Sequence, residues 1–310
     1  MLSATVQLGY LLPTREHVMA DEPRVAPLMD LAERARRLGF DSLWAGDSLT
    51  ARPRHEPLAL LAAIAGRLPG IGIGTAVLLP ALRNPVLLAH QLATLDQIAE
   101  GRLIVGVGIA NDLPSVRAEF TAASVPFEKR IGRLIEGLRL MRALWTGLPV
   151  EWDGRWRVER SVLGPVPYRL GGPPVWIGGS LPASLERAGR HFDGWLPNRP
   201  DAEEWARGWI RVREAAGAAG RDPNALTGAM YLTVAIDPDK TRAQARLDAY
   251  LERYYGRPAD VSRQPQASYA GPREGLSEWI AAYAAAGASH VVLRFAGDQV
   301  KHLEVVASLR

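Results

Sequence analysis

Short apolar runs alternate with longer amphipathic stretches along nearly the whole chain. TVQLGYLL (Thr5–Leu12) reads as a first strand. APLMDLAERARRLG follows, with Leu28, Leu31, Ala35 and Leu38 on one face and charges opposite, which is the 3.6-residue period of a helix. Gly39 stands where a helix C-cap is expected. FDSLWAG is a second strand, EPLALLAAIAGRL a buried helix opened by Pro57, and IGIGTAVLLP a third strand. NPVLLAHQLATLDQIAEG is again a helix between a proline and a glycine, and RLIVGVG a fourth strand. FEKRIGRLIEGLRLMRALW reads as helix, and VEWDGRWRV as a hairpin with Asp-Gly at its turn. PPVWIGG, DGWLP, ALTGAMYLTVAI and HVVLRF are later strands, separated or followed by helices near 182–190, 202–219, 240–254, 272–286 and 300–309.

Strands that are continuous apolar runs belong to a parallel sheet covered on both faces. About eight strand–helix units in one chain predict an α/β (β/α)8 TIM barrel with loop insertions. The rival is an open doubly wound sheet. Two segments break the rhythm: 110–126, a long loop after strand four, and 255–271, rich in Pro, Ser and Gln and expected to be a mobile surface loop. Neither resembles a linker, so residues 1–310 are expected to form a single domain.

Composition narrows the function. The chain has 310 residues, 47% of them hydrophobic, and a net charge of +4. Its arginines are interleaved with acids along helices, as in ERARR and LERAGR, which reads as solvated helix faces and not a nucleic-acid arm. With no cysteine, disulfides and thiol catalysis are excluded. The N-terminal stretch does not read as a signal peptide and no apolar run has membrane-spanning length, so the expected location is cytoplasmic, with no membrane partner. The six histidines show no metal-ligand spacing, so no metal is expected.

In such a barrel the chemistry sits at the C-terminal ends of the strands. These ends are mostly small: Gly46-Asp47-Ser48, Thr75-Ala76-Val77, Gly106-Val107-Gly108 and Gly178-Gly179-Ser180. A mouth of Gly, Ala and Ser admits a large flat ligand close to the backbone. Gly178-Gly179-Ser180, running at once into a helix containing Ser184, is a phosphate candidate because free N–H groups and the helix dipole converge there. Asp47, Ser48 and Trp44 are the pocket candidates for catalysis, and Arg15, Arg52, Arg54 and Arg199 candidates for its rim. GVGIAN (106–111) only partly matches a dinucleotide fingerprint and no helix opens directly after it. GDSL (Gly46–Leu49) suggests a serine hydrolase with Ser48 as nucleophile. The companion blocks are mis-spaced, however: GIAND and Asp298…His302 are each one residue too long for the expected pattern.

LGFDSLWAGDSL, IGIGTAVLLPALRNPVLLAHQLATLDQIAEGRLIVGVG, VPFEKRIGRLIEGLRLMRALWTG and PPVWIGGSLPASLERAGRHFDGWLP resemble, in order and separation, the bacterial luciferase-like oxidoreductases. The resemblance covers residues 5–200 well and the rest more loosely. It implies a TIM barrel holding reduced FMN, for oxygen-dependent monooxygenation, or the deazaflavin coenzyme F420, for hydride transfer, acting on a small organic substrate. It also implies a homodimer and, with FMN, a separate flavin reductase as partner. Position by position it implies a cis peptide at Ala76–Val77 behind the ring, with Thr75 in the same strand. Gly106, Gly108 and Ile109 fall beside the ring. Gly178, Gly179, Ser180, Ser184 and Arg130 fall to the phosphate-bearing tail. Two departures matter. Many members have Asp-His where this chain has Asp47-Ser48, so a histidine acid is missing. The luciferase has an arginine where this chain has Ile109. The alternatives to a luciferase-like oxidoreductase are a GDSL-type serine hydrolase and a non-catalytic flavin-binding barrel.

Overall fold

Residues 6–310 are described by a computed structural model; Thr5, the start of the expected first strand, lies outside them. In chain order the elements are β1 (Gln7–Leu11), α1 (Thr14–Met19), α2 (Ala26–Arg37), β2 (Ser42–Ala45), α3 (Pro57–Arg67), β3 (Gly72–Leu78), α4 (Pro85–Ile98), β4 (Leu103–Val107), α5 (Pro114–Ala122) and α6 (Arg130–Leu144). They continue as β5 (Val150–Asp153), β6 (Arg157–Ser161), β7 (Val175–Ile177), α7 (Pro182–His191), β8 (Gly194–Trp195), α8 (Ala202–Ala218), β9 (Thr227–Ile236), α9 (Lys240–Tyr255), α10 (Ala259–Arg263), β10 (Ser268–Gly271), α11 (Arg273–Ala285), β11 (His290–Phe295) and α12 (Gln299–Ala307). Parallel pairing runs β11–β1–β2–β3–β4–β7–β8–β9 and returns from β9 to β11, so eight strands close a (β/α)8 barrel. The open-sheet alternative fails on the β8–β9 pairing, Gly194 to Thr227 and Trp195 to Gly228. β5 and β6 form the expected antiparallel hairpin outside the barrel.

The helices start where their cap residues stand. Glu56, Asn84, Asp201, Asp239 and Asp298 each accept a hydrogen bond from a free N–H of the first turn of the following helix. Pro57 and Pro85 occupy first-turn positions where no N–H is needed. α3 buries Leu58, Leu61 and Ile64 against the barrel wall. Full burial of one such side chain stabilises by roughly 1.5–3 kcal/mol.

The barrel interior is a packed core. Trp44 on β2 turns inward, fully buried, and its indole occupies space that side chains at Gly9 and Gly74 would need: a Cβ at either would lie 2.4–2.5 Å from it. Trp176 lies beside it, ring centroids 5.7 Å apart, and His290 meets both rings edge-on. A hydrogen-bond chain threads this layer. Trp44 Nε1 donates to Ser42 Oγ, Ser42 Oγ faces His290 Nε2 at 2.8 Å, and His290 Nδ1 reaches Gln7 Oε1 at 3.0 Å. The Gln7 acceptor selects the neutral tautomer that donates from Nδ1.

Burial, opposed weakly by Asp41, lowers the His290 pKa to about 4. The unfolded chain then takes up a proton near pH 6.5 that the folded chain refuses until about pH 4. Stability is therefore lost as pH falls through that window, by about 3 kcal/mol in all. Urea unfolding of the wild type and His290→Gln at pH 7 and pH 5 checks this. The wild type should lose more stability between the two pH values; equal losses would remove His290 from the account.

Two sequence expectations need correction. Segment 110–126 contains α5, because Val116, Glu119 and Phe120 share a buried face packed against Val125 and Phe127. Segment 255–271 is not a free loop. It contains α10 and β10, and β10 pairs with Thr233–Ile236 of β9. Two of the polar residues that made it look mobile, Ser262 and Gln266, are buried: Gln266 Nε2 donates to the Ser262 carbonyl, and Thr233 Oγ1 donates to Gln266 Oε1. No helix among the described residues is long and apolar enough to cross a membrane.

Candidate active site

A cavity of about 260 Å³ opens at the C-terminal ends of the barrel strands. Its β3 wall is irregular. Thr75 pairs with Val105 and Leu78 with Val107, so Ala76 and Val77 bulge out of register, and the peptide between them is cis. Asp47 holds this bulge. Its side chain is 2% exposed, accepts from Leu79 N at 2.9 Å, and takes a two-point ion pair from Arg83 at 2.5 and 3.1 Å. Its carboxylate is thus committed to the wall and is not free to transfer protons.

Ser48 is also committed. Its hydroxyl donates to Glu119 Oε1 at 2.6 Å and accepts from Arg52 N at 2.9 Å. The same Glu119 oxygen accepts from Thr50 N and Ala51 N, so one buried carboxylate on α5 ties down the loop after β2. Ser48 therefore has a carboxylate neighbour, not the imidazole that a serine nucleophile needs. No histidine among the described residues lines the cavity. His302 is spent structurally, accepting from Ile236 N and facing the Asp298 carbonyl. The geometry builds no hydrolase triad.

Of the residues singled out from sequence, Asp47, Ser48, Arg52, Arg54, Ala76, Val77, Gly108, Ile109, Gly178 and Gly179 line the cavity. Trp44, Thr75 and Gly106 do not reach it. Trp44 is in the barrel core, and the Thr75 hydroxyl donates to the Gly106 carbonyl inside the wall. Arg130 stands off it, its guanidinium 3.7 Å over the Phe127 ring. Ser184 is buried beneath Gly179, and Arg199 is exposed. Ser180 faces a separate depression between α7 and α8, and its buried hydroxyl has no partner.

The sequence reading missed the far wall, formed by Tyr231, Tyr254, Tyr255 and Arg294. Arg294 is 4% exposed, and all its partners are neutral. It donates to Thr233 Oγ1 (2.8 Å), Tyr255 Oη (3.1 Å) and Gln266 Oε1, and its guanidinium lies 4.7 Å from the Tyr254 ring. Arg54 donates to Tyr254 Oη at 3.1 Å, and Arg52 lies 4.9 Å over the Tyr255 ring. Among the described residues, no carboxylate pairs with Arg52, Arg54 or Arg294. One signal did exist: Arg294 is the lone charge inside the apolar run HVVLRF, at its C-terminal end.

The slot fits a flat ring. A Cβ on Gly108 would stand 2.7 Å from Val77 Cγ2, so glycine there keeps the space between β3 and β4 open. Gly179, at φ +100°, carries the chain past Ser180 into the N-terminus of α7. The unpartnered Ser180 hydroxyl is a donor available to a phosphate at that turn.

The luciferase-like monooxygenase family model matches residues 6–300. The chain belongs to the luciferase-like monooxygenase family. It is 30% identical to an F420-dependent glucose-6-phosphate dehydrogenase of Mycolicibacterium smegmatis, across 97% of this chain and 96% of that protein. The corresponding dehydrogenase of Nocardia farcinica is 29% identical across 90% of each chain. In fold, this family member is similar to an F420-dependent secondary alcohol dehydrogenase solved with an F420–acetone adduct (TM-score 0.83, 22% identity, 99% and 98% coverage). It is also similar in fold to a monooxygenase from Streptomyces bottropensis (TM-score 0.80, 24% identity, 98% of each chain). As a member of this family the protein is an oxidoreductase.

Proposed function

We propose that the protein is a dehydrogenase or reductase that uses F420, not FMN, and passes a hydride between the deazaflavin and a small alcohol or carbonyl compound carrying an anionic group. The whole chain, residues 1–310, acts as one barrel domain. The observation that carries the reading is the cavity itself: a ring-sized slot at Val77 and Gly108 facing a wall of tyrosines and carboxylate-free arginines. The two relatives at 30% and 29% identity, both F420-dependent glucose-6-phosphate dehydrogenases, favour the deazaflavin. So does Ile109, which offers no charge to a flavin phosphate where the luciferase has arginine.

The bound deazaflavin supplies the hydride-accepting or hydride-donating carbon. Ala76, Val77, Gly108 and Ile109 would hold its ring, and Gly178, Gly179 and Ser180, with Ser184 beneath Gly179, its phosphate-bearing tail; Arg130 is the remaining candidate for the tail. Asp47 keeps the bulge in place through Arg83 and Leu79. Glu119 keeps the Ser48–Arg52 loop closed over the mouth. Arg52 and Arg54 meet the substrate's carboxylate or phosphate.

Separate titrations with F420 and with reduced FMN, followed by fluorescence and absorbance, test the reading. F420 should bind in the micromolar range and FMN far more weakly. A preference for reduced FMN, with substrate-dependent oxygen uptake, would replace hydride transfer by monooxygenation. Binding of neither would leave the family fold without its cofactor chemistry.

A further inference from the structure

Hydride transfer to or from an alcohol carbon needs a group that takes or gives the hydroxyl proton. The cavity's carboxylates are engaged in structure: Asp47 is paired with Arg83, and Glu119 Oε1 accepts three hydrogen bonds that hold the loop after β2. Among the described residues no histidine is in the lining. Of the three lining tyrosines, Tyr254 is buried, 5% exposed, with its Oη accepting from Arg54 and its backbone carbonyl from Arg15. Burial raises the Tyr231 pKa far above the ordinary tyrosine value.

Tyr255 differs. It is half-buried at the end of α9, lines the cavity, and its Oη accepts from Arg294 at 3.1 Å. The cations facing it come from every side: Arg294 on β11, Arg52 and Arg54 from the loop after β2, and Arg257, 5.5 Å over its ring, beyond α9. Its other titratable neighbours are the phenols Tyr231 on β9 and Tyr254, whose ring centroid is 4.9 Å away. No carboxylate among the described residues touches it.

We infer that Tyr255 is the catalytic acid–base, with Arg294 as the positioning residue that supports its phenolate. The inference rests on the F420 reading above. In the oxidising direction oxidised F420, when bound, would accept the carbinol hydrogen with its electron pair as the C–H bond breaks. The hydroxyl proton passes to the Tyr255 phenolate oxygen as the C=O bond forms, and the resulting phenol returns it to solvent. Reduction runs the same steps backwards. Burial by itself would raise the phenol, but the charge and hydrogen bond of Arg294, followed by Arg52 and Arg54, outweigh it and bring the pKa below the ordinary value. Ser48 is tied to Glu119, and Tyr255 supplies the proton chemistry from the opposite wall.

Two readouts test this. The first is ultraviolet titration of the cofactor-free protein, following tyrosinate formation. An early step should appear in the wild type, vanish in Tyr255→Phe and move to higher pH in Arg294→Met. Absence of a Tyr255-dependent early step overturns the assignment. The second is steady-state F420 reduction against pH with a panel of secondary alcohols, with and without a carboxylate or phosphate. Tyr255→Phe should lower kcat by about 10²–10⁴-fold and abolish the rising limb, with unchanged F420 affinity. A Tyr255→Phe enzyme with wild-type kcat also overturns it, while leaving the F420 reading intact. A clear early step in a wild type that binds no F420 and reduces none defeats the F420 reading, and the catalytic role with it.

Discussion

Asp47→Ala should cost the protein about 3–5 kcal/mol of stability, the range for removing one partner of a buried ion pair. The cost follows from what is left behind. Arg83, with a side chain 16% exposed, loses both contacts to the Asp47 carboxylate and keeps only the marginal ones to Glu56 and the Leu79 carbonyl, each at 3.4 Å. Leu79 N loses its acceptor. A whole domain is stable by only about 5–15 kcal/mol, so this one change consumes a large share. Asp47→Asn keeps an oxygen for Leu79 N and should lose less. Denaturant unfolding of the three proteins measures it, and an Asp47→Ala protein as stable as wild type would show that the pair contributes nothing net. The local consequence is at the cavity. Leu79 directly follows β3, so a loosened wall at Ala76 and Val77 should also weaken cofactor binding.

Arg294→Met should lower kcat by about 10²–10⁴-fold, comparable to losing the acid–base itself. Methionine matches much of the arginine's apolar length but donates nothing. Tyr255 then loses the charge that supports its phenolate, and Thr233 and Gln266 lose a buried donor. Gln266 Oε1 keeps the Thr233 hydroxyl as donor, but Thr233 Oγ1 is left without one, which costs roughly 1–3 kcal/mol of stability, so the fold should weaken as well. F420 affinity separates the two causes: it should survive, because Arg294 faces the substrate wall and the ring slot lies at Val77 and Gly108. Unchanged kcat in a folded Arg294→Met would place the buried cation outside the chemistry.

Alternating strand and helix patterns, cap residues such as Asn84 and Asp239, and proline-opened helices are local properties, and each was legible from residues alone. Strand-end residues Ala76, Val77, Gly108, Gly178 and Gly179 were legible too, because a parallel barrel puts its chemistry at the carboxyl ends of its strands. Trp44 was not placed correctly. Its neighbours in space, Gly9 and Gly74, lie on different strands, and only their register shows that the indole fills the barrel. Segments 110–126 and 255–271 read as loops because their polar residues find partners only in the folded chain, through Glu119 to the β2 loop and Gln266 to β9. The wall of Tyr231, Tyr255 and Arg294 comes from β9, α9 and β11, far apart in sequence. Sequence order therefore determined the barrel and the strand-end face of its cavity. Which charges were already spent, as in Asp47, and which were left to act, as in Arg294 and Tyr255, depended on distances between remote segments that only the closed barrel sets.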